Sequence, residues 1–342
     1  MKTPVYRVSH SAAQTSLVEY IDAVPWWLFD RLPQGFTGRV YAKQVLKQHL
    51  EFSSDLRDWS DAVVLQLLSE YPVNAIGNLL IGNHDLERYH VAENHSYSLS
   101  ELPRLAEQAK EFCQTLISGD QPKFCCEIEQ YGPCIVKFAE TERQADLLIA
   151  EHIALSVLND AGIPAAKTTL FRAGLYQFLV IGRFDCVGFG RCGVVSLKAL
   201  DLEFVGSRDQ RWPVIARQLA EQGVIVASAL PTIQLQFCFG RLIANSDMHS
   251  GNLAFIDNGQ MPFTLAPAYD QLPMAYASDK QGISLITVDS DLPDSVWVET
   301  LPLALRFWQK LIEEPLLSES FRNIAVQMLH YVQHDIAVKI RE

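Results

Sequence analysis

Basic residues are scarce in this chain. Its 28 Lys and Arg stand against 40 Asp and Glu, a formal net charge of -12. Coating nucleic acid requires a cationic surface that displaces condensed counterions. That class is disfavoured, and no direct nucleic-acid binding is expected. Long apolar runs are missing as well. The stretch from Val18 to Phe29 is broken by Glu19, Asp22 and Pro25, and nothing reaches the ~18 apolar residues of a membrane span. Neither a signal peptide nor a membrane association is expected. The seven cysteines (Cys113, Cys125, Cys126, Cys134, Cys186, Cys192 and Cys238) are odd in number and contain no C-x-x-C pair. A disulfide framework and a thiolate zinc site are both disfavoured, which suits a reduced, cytoplasmic protein with small buried thiols. A zinc hydrolase is disfavoured, and no G-x-S-x-G elbow or internal repeat occurs.

What is present suits a globular chain of about two domains: 342 residues, 49% of them hydrophobic. Residues 1–30 show no clear period, and Leu32-Pro33-Gln34-Gly35 reads as a turn. Helices are expected at 42–50, from an N-cap at Ser60, and from a cap at Ser100 through 112. A short strand is expected at 77–82. Trp26, Trp27 and Trp59 read as core anchors rather than a stacking platform. Beyond residue 116 the pattern predicts strands at 123–128 and 134–139, a long helix at 142–159, and strands at 166–171 and 176–181. The remainder turns helical, with a buried helix at 230–245, two short strands at 253–256 and 263–265, and an amphipathic helix at 317–332. The architecture predicted is α+β in two lobes, strand-rich then helical. Ligand clefts favour such interfaces.

Within Asn245-Ser246-Asp247-Met248-His249-Ser250-Gly251-Asn252, Asp247 and Asn252 have the separation of the base Asp and metal-binding Asn in a kinase catalytic loop. One loop can then bring a carboxylate to a hydroxyl and a carbonyl oxygen to a hard cation. Asp270, after two short strands in Leu265-Ala266-Pro267-Ala268-Tyr269-Asp270, stands where a second metal carboxylate belongs. Taken alone, such a loop is an ordinary solvated run of Asn, Ser and Asp. Lys137 lies on an apolar strand, Cys134-Ile135-Val136-Lys137-Phe138. Glu151 shares a helical face with Leu147, Ala154, Leu155 and Leu158. An inward carboxylate needs a partner, and a strand Lys with a helix Glu is the pair that orients ATP in kinases. The plainer alternative lets both side chains reach water.

Ser118-Gly119-Asp120-Gln121-Pro122-Lys123 could cover phosphates through its backbone and Lys123, or could be a plain helix end. In Gly182-Arg183-Phe184-Asp185 a strand leaves the small lobe as a hinge would, with Asp185 towards a ribose. The alternative is a surface Arg–Asp pair. His249 either orients the catalytic loop or serves as a structural histidine.

Taken together and in this order, these segments resemble the HipA-like serine/threonine kinases of toxin–antitoxin systems. Leu32-Pro33-Gln34-Gly35-Phe36-Thr37-Gly38-Arg39 is similar to their N-terminal subdomain, and Gly119-Asp120-Gln121-Pro122-Lys123-Phe124 resembles the YjjJ-like branch. The resemblance covers about residues 28–335. It implies a kinase-like fold with an N-terminal subdomain at 1–115, an ATP-binding lobe at 116–190 and a catalytic lobe at 191–342. It also implies ATP and Mg2+ as cofactors and a protein substrate, such as an aminoacyl-tRNA synthetase or another translation factor, with an antitoxin as a further partner. By position, Asp247 is the base, and Asn252 and Asp270 hold magnesium. Lys137 meets phosphate and is fixed by Glu151. Gly119, Gln121 and Lys123 cover the nucleotide, which Gly182, Phe184 and Asp185 meet at the hinge. Ser118 matches the autophosphorylated serine. Two departures stand out: Leu116 replaces a serine common in the family two residues before Ser118, and Gly182 replaces a frequent glutamate. Only about 27 residues precede the match, too few for the N-terminal DNA-binding segment usual in the YjjJ-like branch. Two other readings remain open: a non-catalytic nucleotide- or partner-binding module, and a small-molecule kinase.

Overall fold

Strand alternation and helix capping account for most of the elements. The computed structural model describes residues 5–8, 15–18, 25–33, 35–53, 55, 58–92, 96–111, 121–188, 190–278 and 281–340. The N-terminal part contains β1 (Val5–Val8), β2 (Thr15–Val18), α1 (Gly35–Leu46), α2 (Asp61–Glu70), β3 (Leu79–Ile81) and α3 (Gly82–Ala92). Its sheet has the order β2-β1-β3, all antiparallel. Leu28, Tyr41, Val45, Leu65, Leu68 and Ile81 fill its own core. Ser60 caps α2 by accepting from the Val63 N–H, as expected. β1 and β2 lie where no period was visible, because four-residue strands are too short to display one. The first helix occupies 35–46, so Gly35 opens it at the end of the expected turn.

The strand-rich lobe comprises β4 (Ser96–Tyr97), α4 (Leu102–Glu111), β5 (Lys123–Ile128), β6 (Gly132–Ala139), α5 (Glu142–Asp160), β7 (Thr168–Ala173) and β8 (Tyr176–Gly182). Its five-stranded sheet runs β4-β5-β6-β8-β7. Ser98, not Ser100, caps the entry to α4, in a box with Glu101. Alternation divides the sheet: Cys134, Val136, Phe138, Phe178 and Val180 pack with Leu102 and Ala106 of α4, and Leu179 and Ile181 join α5 on the opposite face. Thr141 caps α5 by accepting from the Gln144 N–H.

The third part begins with β9 (Cys186–Val187), β10 (Gly190–Arg191), β11 (Gly193–Ser196) and α6 (Leu197–Leu200). It continues through α7 (Trp212–Glu221), α8 (Leu230–Leu242), β12 (Ala254–Asp257), β13 (Thr264–Leu265), α9 (Asp294–Glu313) and α10 (Glu319–Tyr331). A small antiparallel sheet, β11-β12-β13, carries the loops towards the strand-rich lobe. Trp212, Phe239, Trp297, Phe307, Trp308 and Phe321 are fully buried among its helices. Trp26 packs against Phe204 and Phe263, and Trp59 against Phe52, so these tryptophans serve packing. Among the described residues no helix is long and apolar enough to cross a membrane, and the six described cysteines are free.

Candidate active site

Lys137 stands on the α5 side of β6, because its neighbours Val136 and Phe138 point to the opposite core. Glu151, in the middle of α5, is fully buried. The Lys137 ammonium donates to Glu151 Oε1 at 2.8 Å and Oε2 at 2.7 Å, and also to Asp270 Oδ1. Burial by itself would lower the Lys137 pKa, but Asp270 and Glu151 outweigh it and leave it raised. Burial raises the Glu151 carboxyl against the pull of Lys137. For Asp270 burial is opposed by Lys137, Lys123 and His249, which hold it down at about 2. Lys123 is the cross-strand partner of Lys137, which puts both lysines on one face of the sheet.

The Asp247–Asn252 loop is braced from three sides. The Trp212 indole donates to the His249 carbonyl at 3.0 Å. The Tyr269 hydroxyl donates to the Gly251 carbonyl at 2.9 Å. Asn245, buried at the end of α8, accepts from the Asp247 N–H at 3.1 Å and donates to the Asp270 carbonyl at 3.2 Å. One amide thus ties the loop to Asp270, whose φ of 52° is left-handed. Asn252 donates its Nδ2 to the Asp247 carbonyl at 2.9 Å, so its own carbonyl oxygen stays available as an acceptor. His249 Nδ1 accepts from the Gly251 N–H at 3.0 Å. A neutral ring therefore carries its proton on Nε2, which lies 4.0 Å from Asp247 Oδ1. That suits an orienting histidine. Asp247 itself is half exposed, at 54% of its side chain.

The site's oxygen donors suit magnesium. Asn252 and Asp270 offer hard oxygen ligands, and among the described residues no cluster of three His, Cys, Asp or Glu forms a self-sufficient metal cage. A site of one carboxylate, one amide and phosphate oxygens is how magnesium is commonly held beside nucleotides.

The hinge departs from expectation. Asp185 is 1% exposed. It accepts from Arg183 Nε at 2.9 Å and Nη2 at 2.5 Å, and from the Gly77 N–H at 2.8 Å. Arg183 also donates to Asn74 and to the Ala75 carbonyl. We therefore reassign Asp185 from a ribose-facing position to a joint that binds the N-terminal part to the strand-rich lobe. It is no surface pair either. Gly182 and Arg183 spend their N–H groups on the carbonyls of Lys167 and Pro133, at 2.9 and 3.0 Å. The Phe184 ring lies 6.2 Å from that of Tyr269. Gln121 has a buried Oε1 without a hydrogen-bond partner. Ser118 and Gly119 lie outside the described residues. Asn245, Trp212 and Tyr269 escaped the sequence reading. Their work is done by one amide, one indole N–H and one hydroxyl reaching residues 18 to 37 positions away or on another loop, and only Asn245, inside the motif, carried a signal.

A strand-rich lobe with an inward Lys–Glu pair, set over a helical lobe with the Asp247–Asn252 loop and Asp270, is a two-lobed protein-kinase-like α+β fold. Residues 115–333 match the HipA-like C-terminal domain, and residues 2–90 match the middle domain of YjjJ-like toxins. The match thus begins well before residue 28. The chain is 37% identical over 333 residues to Toxin YjjJ of Escherichia coli strain K12, covering 91% of this chain and 74% of that one. The solved HipA of Shewanella oneidensis MR-1, in complex with HipB and operator DNA, aligns with a TM-score of 0.56 at 14% identity, over 96% of this chain and 93% of that one. The Helicobacter pylori proinflammatory kinase CtkA aligns at a TM-score of 0.48 and 15% identity, over 64% and 95%. The chain belongs to the HipA-like toxin family.

Proposed function

We propose that the protein is an ATP- and magnesium-dependent serine/threonine protein kinase acting on a cytoplasmic protein. The reading rests above all on Lys137, which joins Glu151 of α5 to Asp270 of the catalytic lobe. A buried ammonium between two carboxylates is the arrangement that places a phosphate-binding cation beside a metal-binding acid. Lys137 and Lys123 would hold phosphate oxygens. Asn252 and Asp270 would hold magnesium, which when bound neutralises charge developing on the transferred group. Asp247 receives the proton of the attacking hydroxyl. The new bond joins that oxygen to the γ-phosphorus, the bond from γ-phosphorus to the bridging oxygen breaks, and ADP leaves. His249, fixed by Gly251, keeps Asp247 oriented. Gly119 and Gln121 belong to the loop proposed to cover the nucleotide, with Gly182 and Phe184 at the hinge. The family resemblance supports three finer assignments: a translation component such as an aminoacyl-tRNA synthetase as substrate, Ser118 as a self-phosphorylation site, and an antitoxin partner, since the Shewanella relative was solved with HipB.

A second reading, a partner-binding module without phosphoryl transfer, is favoured by one observation: the hinge N–H groups of Gly182 and Arg183, which a nucleotide base would use, are already engaged. Incubation with magnesium and ATP, followed by intact-protein and peptide mass spectrometry, separates the two. The kinase reading expects phosphate on the protein or on lysate proteins, reduced in Asp247→Asn by about two to four orders of magnitude. Equal transfer in that variant, or ATP binding without transfer in the wild type, defeats it.

A further inference from the structure

Residues 330–334 read His-Tyr-Val-Gln-His, the spacing at which two imidazoles on one helix face can share a cation. Neither histidine belongs to the candidate active site. Their placement follows from packing. Met328, Tyr331, Val332 and Ile336 turn inward and are buried, so His330 and His334 fall on the outer face, where both are exposed. Four residues overrun an α-helical turn of 3.6. Here α10 gives way to a wider turn at Val332–Ile336, in which the Ala337 N–H donates to the Val332 carbonyl five residues back. The wider turn absorbs the overrun and brings His334 over His330.

The two ring centres are 4.5 Å apart and the ring planes are inclined at 46°. Imidazole nitrogens about 2.0–2.1 Å from a shared cation, at right angles around it, put the ring centres about 4.5 Å apart. Among the described residues neither ring has a hydrogen-bond or ion-pair partner, so no local contact competes for its nitrogens. An exposed, tilted pair also buries little apolar surface, and packing gains little from the meeting of the rings.

We propose that His330 and His334 chelate one borderline divalent cation, of the class of Ni2+, Cu2+ and Zn2+, on the outer face of the helical lobe. Imidazole nitrogen favours these ions over Mg2+ and Ca2+, which take oxygen ligands. Two protein ligands leave the remaining positions to water, in keeping with the absence of a three-residue metal cage among the described residues. The cation pins the end of α10 to the turn that follows it. The inference does not rest on the kinase reading.

Ni2+ is the probe, because the free thiols of the chain favour zinc and copper more strongly. Calorimetric titration is run in excess MgCl2, which occupies the hard oxygen ligands of the candidate active site. Saturable binding of one Ni2+ per chain is expected. Diethylpyrocarbonate labelling, read by peptide mass spectrometry, is expected to show His330 and His334 protected together. His330→Gln and His334→Gln, both at exposed positions that leave the core intact, are each expected to weaken binding by about tenfold or more, since a two-point chelate becomes a single contact. The double variant His334→Gln with Asp335→His keeps the number of imidazoles but moves one around the helix, and is expected to bind as weakly as His334→Gln alone. Binding is expected to persist in His249→Gln, which removes the ring beside Asp247. Unchanged affinity in both single variants, full affinity in the double variant, protection of other histidines only, or loss of binding in His249→Gln overturns the site.

Discussion

Lys137 holds Glu151 and Asp270 at once, with its ammonium 2.7 to 2.8 Å from the Glu151 oxygens and in direct contact with Asp270. One residue of the sheet thereby registers helix α5 and the loop that ends the small C-lobe sheet. Removing it leaves the buried Glu151 and the partly buried Asp270 without the cation that joins them.

Lys137→Met is accordingly expected to lower stability by about 3–5 kcal/mol, the usual loss when a buried pair is broken from one side. Urea unfolding measures it. A loss below about 1 kcal/mol shows that the two acids find other partners or water.

The Asp270 carboxyl, at about 2 in the folded chain, lies below the unfolded value of about 3.9. A lowered folded value contributes stability that is complete above about pH 4 and is lost as pH falls towards 2. Glu151, raised by burial, acts in the opposite sense, so the comparison is made against Asp270→Asn. The gap between the urea midpoints of wild type and variant is expected to narrow from pH 5 to pH 2. A gap constant across that range contradicts the role assigned to Lys137.

Asp185→Asn removes a carboxylate that is 1% exposed and anchors both Arg183 and Gly77. About 3–5 kcal/mol of destabilisation is expected. Asp209→Asn, at the partly exposed Arg211 cluster, is expected to cost under about 1 kcal/mol. Equal losses in the two variants place Asp185 in an exposed setting and undo the joint.

Trp212→Phe keeps an aromatic ring in the core but deletes the N–H that holds the His249 carbonyl. An expected loss of about 1–3 kcal/mol combines an unpaired carbonyl with a small cavity. Amide exchange of residues 246–252 is expected to quicken relative to the rest of the chain. Unchanged exchange there means that Tyr269 and Asn245 suffice to brace the loop.

Periodic patterns made the long elements legible in the sequence. Apolar alternation located β5, β6 and β8, and the apolar face of α5 turned Glu151 inward, because period alone decides which side of an element faces a core. The separation of Asp247 and Asn252, with Asp270 downstream, marked the candidate catalytic loop, since that spacing is confined to a short stretch of chain. Other assignments depended on partners remote in sequence. The Arg183–Asp185 pair reads as an exposed turn until Asn74, Ala75 and Gly77, more than 100 residues earlier, are folded onto it. Likewise β1 and β2, four residues each, exist through their pairing with one another and with β3. Burial and orphaned hydrogen bonds are properties of packing, and only the tertiary structure could decide them.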